Sequence, residues 1–427
     1  MKKYIFLILP IFLYASSFSK LINSVDKNLL IKSKNEQTKA LQSMLNAKKA
    51  KNYPSLDIHL NTTRLQDVPT TMLHLPGFGN PLPMGTRTNI NADLSVTYPL
   101  FTGFAISTSI EKAKLEVVKS SLETTELKRE LYLKIATLYA KIFTADKAIE
   151  ATKEAKAAIE DSYKKAKSMY DNGLINISNL YKIEAQKFDI ESKLITLNEQ
   201  KENLINNLQY LTNIKTDPKI LPAIKINIDQ SSLIKTALTN REDIKVLKTK
   251  LKIDDQDISL VESKKYPQIF LVGAIKKQGD DFNLNGNGYT NANQSYIGAT
   301  ISWNIFDGNE KKSERESVIY KKNAELLYLS DYQNSVKKTL KNAILALGSL
   351  KFREKAISKE VLSSKSYYDL TKGRFNNGLA SADELSRSIA DLATVKAKLQ
   401  EIKASIFLQK CQISLLCGTR FFIKSVI

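Results

Sequence analysis

Cys411, Cys417, His59 and His74 are the only cysteines and histidines among the 427 residues, so metal or thiol chemistry would have to start from them. Cys411 and Cys417 are six positions apart. On one helix that places their Cα atoms about 9 Å apart, beyond the ~7 Å a disulfide can bridge. They read as free, buried, structural thiols. His59 and His74 have no metal-ligand spacing and read as loop or strand-face residues. No nucleophile stands beside a base, no cluster suggests a metal, and no glycine-rich loop could cradle a phosphate. The chain therefore carries no catalytic, cofactor or metal site and is not an enzyme. One charged group stands out. Asp383 and Glu384 lie four and three residues before Arg387, a spacing that allows an ion pair on one helix face.

The elements that would position such residues are long. Leu131, Ile135, Leu138, Ile142, Ala145 and Ile149 step alternately by four and three, and Val336, Leu340, Ala343, Leu347 and Leu350 do the same. This is a heptad seam, so these helices pack side by side as in a coiled coil. No proline interrupts the chain from Leu100 to Thr216, or from Asn304 to the end. A helix over 103–170 would be about 100 Å long. Each long helix stops at a related motif, "MYDNGL" and "RFNNGL", with Gly173 and Gly378 205 residues apart. At that shift "YPLFTG" falls on "WNIFDG", Tyr170 on Phe375, Asn172 on Asn377 and Leu174 on Leu379. The chain reads as one unit written twice. Gly173 and Gly378 can cap a helix in the left-handed conformation. The motif is then a simple helix stop, or an exposed tip that offers Tyr170, Leu174, Phe375 and Leu379 to a partner.

Shorter segments have period two. "SLDIHLNTT", "NINADLSVTY" and "YIGATISWNI" alternate apolar and polar residues over the length of a transmembrane β-strand, whereas "PQIFLVGAI" alternates less cleanly. Between them, 67–86 and 279–294 are rich in Gly, Pro and Asn and read as surface loops. Four strands cannot close a barrel, and an open sheet edge is not tolerated in lipid. Either several chains share one barrel, or the strands form soluble hairpins on a coiled-coil protein.

The N-terminus "MKKYIFLILPIFLYASSFS" combines lysines, a short apolar run and small residues, as in a secretory leader over 1–19. No segment is long and apolar enough for a transmembrane helix. The formal net charge is +20. The lysines are interleaved with Glu and Asp along helical stretches, which indicates a solvated surface rather than a nucleic-acid site.

In order and spacing, "NREDIKVLKTKLKIDDQDISLVESKKYPQIFLV", "YPLFTG", "WNIFDG", "MYDNGL" and "RFNNGL" resemble the TolC-like outer-membrane efflux proteins. In that family "nRpe/d", "A-x-x-x-x-x-P", "plf-x-G" and "y-x-x-G-x-x-s-x-x-d-v-l" recur. The resemblance covers nearly all of the chain after the leader. It implies a mainly helical fold with a membrane β-barrel portion, in which a homotrimer forms a twelve-stranded barrel and a twelve-helix periplasmic tunnel. The first repeat would span 20–215, with a helix about Asp26–Asn52, strands about 55–65 and 88–98 and helices about 103–170 and 175–212. A linker, 216–239, would lie on the tunnel's equator. The second repeat would span 240–418, with a helix about Asn240–Lys264, strands about 267–277 and 295–305 and helices about 308–375 and 381–417, followed by a tail, 419–427.

The resemblance further implies an outer-membrane exit duct working with an inner-membrane pump and a periplasmic adaptor, without cofactor or nucleic acid. Type I protein secretion and a non-porous envelope coiled coil remain as alternatives. The adaptor would meet the tips at Tyr170, Gly173, Leu174, Phe375, Gly378 and Leu379. The periplasmic gate would lie at Asn179, Asp383, Glu384 and Arg387. Where the family type places acids after the tip glycine, this chain has Asn179 in the first repeat and Arg387 in the second. The acidic ring is thinned to Glu384, with Asp383, and Arg387 stands within ion-pair reach of both.

Overall fold

The computed structural model describes residues 11–72 and 80–426, and the backbone alone for 11–17. Most of the expected leader's charged and apolar run, and His74, lie outside the described residues. Nine helices and six strands follow one another among the described residues: α1 (Ile11–Ser24), α2 (Leu29–Ala50), β1 (Ser55–Arg64), β2 (Thr70–Thr71), β3 (Leu82–Pro83), β4 (Thr88–Phe101), α3 (Ala105–Asp171), α4 (Ile177–Thr212), α5 (Gln230–Asn240), α6 (Glu242–Ser263), β5 (Gln268–Gly279), β6 (Tyr296–Ser302), α7 (Glu310–Asn376), α8 (Ala382–Leu416) and α9 (Thr419–Val426). None of these helices is long and apolar enough to cross a membrane. The chain divides into two compact units. One holds residues up to 37, 120–247 and 328–427; the other holds 38–119 and 248–327.

The second unit contains an antiparallel sheet in the order β1-β4-β5-β6. Its register separates two faces. Leu56 opposes Val96, Ile58 opposes Leu94, Leu94 opposes Ile275, and Ile269 opposes Ile301, all on one face. Asp57 opposes Ser95, His59 opposes Asp93, and Asp93 opposes Lys276 on the other. The apolar face is bare: Ile58 is 77% and Ile297 80% exposed. β5 is paired on both sides, and its polar-face positions Phe270, Val272 and Ala274 account for its weaker alternation. Pro99 has no N–H for the ladder, and the register of β4 shifts beside it, between Pro99 and Phe101. β1 and β6 each have one neighbour, so the sheet has two unpaired edges.

The first unit is helical. The seam of α3 is buried at Leu131, Ile135, Ile142 and Ile149, and that of α7 at Val336, Leu340 and Leu347. Phe18 of α1 packs edge-on against Tyr139 of α3 (4.9 Å between centroids) and Phe407 of α8 (5.4 Å). The Tyr139 hydroxyl donates to the Ile220 carbonyl at 2.9 Å, which ties 213–229 to this core. Cys411 and Cys417 are buried and free. Burial pushes the Cys417 thiol up to about 12.

The stretches expected as linker and tail each hold a helix. Within 216–239, α5 starts where the Asp229 carboxylate accepts from the Ser231 and Ser232 amides, a cap that satisfies donors left unpaired in the first turn. In the tail, α9 buries Phe422 against Tyr132 (5.6 Å). The helix expected from about Asp26 is interrupted before α2, where Asn28 caps it by accepting from the Leu30 amide at 2.9 Å.

Candidate functional site

α3 and α7 end in the same way. Gly173 has φ +72° and Gly378 φ +70°. The Leu174 amide donates to the Met169 carbonyl, and the Leu379 amide to the Arg374 carbonyl, each at 2.8 Å. These reach-back bonds, with a left-handed glycine, close the helices and satisfy carbonyls left without an intrahelical donor. A Cβ at either glycine would meet nothing within 4 Å, so the requirement for glycine is conformational rather than steric. Asn172 and Asn377 donate from their side chains to the carbonyls of Ser168 (2.7 Å) and Gly373 (2.9 Å). The following helices begin under side-chain caps, Asn176 on the Ser178 amide and Ser381 on the Glu384 amide.

The two tips share one apolar cluster. Phe375, Ala382, Leu385 and Ile389 pack with Ala155, Ile159, Ala166 and Ile183. Phe375 is only 3% exposed, so it anchors the tip instead of facing solvent, unlike Leu174 at 70% and Leu379 at 68%. Tyr170 is less open, at 38%. The expected contact positions thus split into an exposed group (Tyr170, Gly173, Leu174, Gly378, Leu379) and a buried anchor, Phe375.

At the expected gate, Arg387 Nη2 lies 2.9 Å from Asp383 Oδ2. Glu384 does not join that pair. Its Oε1 lies 2.9 Å from Arg374 Nη1 at the end of α7. Arg374 Nη2 also donates to the Leu379 carbonyl at 3.1 Å. Asn179, half-buried, donates its backbone N–H to the Asn176 carbonyl. Both acids of the second tip are therefore neutralised by arginines of the same chain. The sequence reading missed Arg374, although it heads the "RFNNGL" motif. Its partner lies ten residues on, across the glycine turn, where helix-spacing rules do not apply.

A second polar cluster lies in the same unit and explains "NRED". Arg241 holds Asp243 with two hydrogen bonds. The Tyr332 hydroxyl donates to Asp243 Oδ2 at 2.7 Å. Arg129, paired with Glu126, stands 3.9 Å from the same carboxylate. Glu242 accepts from the Thr419 amide at 3.3 Å, while Gly418 (φ +108°) lies against Asn240, where a Cβ would come within 3.3 Å. Burial pushes the Asp243 carboxyl up, but the Arg241 hydrogen bonds and charge, the Tyr332 hydrogen bond and the Arg129 charge outweigh it. The group is held below its ordinary range. Burial and the Asp243 bond raise the Tyr332 phenol to about 12.

The chain combines long helices closed by glycine tips with a sheet that bares an apolar face and is unpaired at both edges. The chain belongs to the outer membrane efflux protein family, whose sequence model matches residues 25–213 and 233–419. Its fold is similar to that of the outer membrane protein VceC of Vibrio cholerae, with a TM-score of 0.77 and 15% identity over 94% of this chain and 96% of that one. The Campylobacter jejuni CmeC outer membrane channel gives a TM-score of 0.79 and 15% identity over 95% and 85%. The open state of the Neisseria gonorrhoeae MtrE outer membrane channel gives 0.71 and 18% over 96% and 88%. At these identities the likeness concerns the fold. None of the curated protein sequences matches the chain.

Proposed function

We propose that the chain is an outer-membrane exit duct, in which three copies join their sheets into one twelve-stranded barrel and pass substrates delivered by an inner-membrane pump through a periplasmic adaptor. The carrying observation is the sheet. It exposes its apolar face and leaves β1 and β6 unpaired. Each unpaired backbone group in hydrocarbon costs several kcal/mol, and edge-to-edge joining of β1 to the β6 of another copy removes that cost. The polar face, with Asp57, His59, Asn91, Asp93 and Lys276, then lines the lumen. The 67-residue helices α3 and α7 are each long enough to cross about 100 Å of aqueous space.

The exposed tip residues Tyr170, Leu174 and Leu379, carried on Gly173 and Gly378, form the adaptor contact, with Phe375 as the anchor beneath. Asn179, Asp383, Glu384 and Arg387 form the gate, extended by Arg374. Energy comes from the pump.

The test is to purify the mature protein and place it in a planar bilayer. A detergent-resistant trimer that gives discrete conductance steps is expected. A protein that stays soluble without detergent and gives no steps overturns the duct.

A further inference from the structure

The base of the sheet, where strands give way to helices, carries a groove that neither the gate nor the tips use. Its volume is about 380 Å³, and Trp303, Ile305, Lys265, Lys311, Lys312 and Arg315 line it. Trp303 continues the apolar series Ile297, Ala299, Ile301 at the foot of β6. Its indole Nε1 donates to the Lys265 carbonyl at 3.0 Å, fixing the ring across the junction. Two of the four cations are engaged: Lys311 lies 3.3 Å from Asp307, and Arg315 lies 2.8 Å from Glu262. Glu316 also lines the groove. Lys265 and Lys312 are exposed and have no acidic partner among the described residues. One wall is therefore aromatic and continuous with the bare apolar face, and the other offers two unengaged ammonium groups.

We propose that this groove binds the anionic headgroup of a glycerophospholipid. The proposal rests on the membrane reading above, in which this end of the sheet meets the periplasmic leaflet. Indole rings settle at the headgroup level because one edge is polar and the body apolar. Lysine is a compact cation suited to a phosphate, and basic groups beside a membrane surface attract anionic lipids. The apolar wall selects the source. Acyl chains can continue from the groove over Ile305, Ile301 and Ile297, whereas inorganic phosphate gains only the charged contacts.

The experiment is native mass spectrometry of the full mature protein released from detergent, titrated with phosphatidylglycerol, with phosphatidylcholine and with inorganic phosphate. The variants are Lys265→Gln/Lys312→Gln and, as a control at an exposed lysine of α5, Lys235→Gln. Phosphatidylglycerol is expected to bind in preference to both other probes. Each lysine removed is expected to weaken binding about fivefold, with no change in the control. Equal binding of phosphatidylcholine, or unchanged binding by the double variant, overturns the headgroup site. Binding of inorganic phosphate as tight as that of phosphatidylglycerol overturns the lipid as its occupant. A protein that inserts and conducts but shows no lipid preference loses this site and keeps the duct. A protein soluble without detergent loses both.

Discussion

Arg374 and Glu384 are joined across the second tip at 2.9 Å, and the first tip has neither of them. At the 205-residue shift that aligns the halves, Arg374 falls on Met169 and Glu384 on Asn179. Both members are absent together, so the ion pair belongs to one tip only. Both side chains are partly exposed, and such a pair contributes about 0–1 kcal/mol to stability. Arg374→Met and Glu384→Gln are expected to leave the melting temperature nearly unchanged and to increase open-state conductance events in a planar bilayer. The double variant is expected to match either single one. If Glu384→Gln alters conduction and Arg374→Met does not, the ion pair is not what controls conduction at this tip.

Phe375 and Leu379 separate packing from contact. Phe375 is buried in the shared tip cluster, and its truncation to Ala is expected to cost about 3–5 kcal/mol. Thermal unfolding followed by circular dichroism would show this as a lowered midpoint. Leu379 is 68% exposed, so Leu379→Ser and Leu174→Ser are expected to leave the midpoint in place and to reduce cross-linking to a periplasmic adaptor in cells. A fall in midpoint for the Leu variants, or intact cross-linking, would reassign these positions.

The regular elements were legible in the sequence because their signals are local. The four-three seam from Leu131 lies within α3 and is buried, and the alternation around Ile58 and Ile301 produces strands with one apolar face. What escaped depends on partners distant in the chain. Arg129, Asp243 and Tyr332 meet from three helices, and no spacing rule connects them. α9 is short, and its support comes from the distant contact of Phe422 with Tyr132, whereas α5 carries a local cap at Asp229 that the sequence does display. Tyr170 and Phe375 fall on the same repeat position, yet one is partly open and the other buried, a difference the aligned letters do not carry.

The Asp243 cluster predicts an acid limit. The folded carboxyl titrates below its unfolded value, which is about 3.9. A depressed carboxyl contributes stability that is fully present above the unfolded value and is lost as pH falls through the folded one. Urea midpoints are expected to be flat in this contribution near pH 7 and to drop below about pH 4. Asp243→Asn leaves Arg241 buried without its counter-charge, which costs roughly 3–5 kcal/mol at pH 7. The gap between variant and parent is expected to narrow in acid. A gap that is constant with pH would mean that the carboxyl charge is not what stabilises the cluster.

Ile297 and Thr300 lie on opposite faces of β6, and Ile297 is further than Ile301 from Trp303 at its foot. An arginine on the lipid face of a barrel costs about 2–4 kcal/mol near the midplane, whereas lumen positions tolerate it. Ile297→Arg is therefore expected to lower the yield of folded trimer in the outer membrane, and Thr300→Arg to preserve it while changing conductance. The reverse pattern would turn the sheet inside out.

Phe18 bears on where the expected leader would be cut. Two positions satisfy the small-residue requirement of leader processing: after Ser17, with Ala15 two residues earlier, and after Ser19, with Ser17 two residues earlier. Packing distinguishes them. Phe18 has no exposed surface and sits edge-on against Tyr139 and Phe407. Cutting after Ser19 would discard that ring and leave a cavity, at a cost of about 3–5 kcal/mol. The mature chain is expected to begin at Phe18, and N-terminal sequencing of the protein from outer-membrane fractions would read Phe-Ser-Lys-Leu. A start at Lys20 would show that the helical core forms without the ring, and Phe18→Ala should then leave the thermal midpoint unchanged. A chain that still begins at Met1 would mean that the leader is not processed, and export itself would be in question.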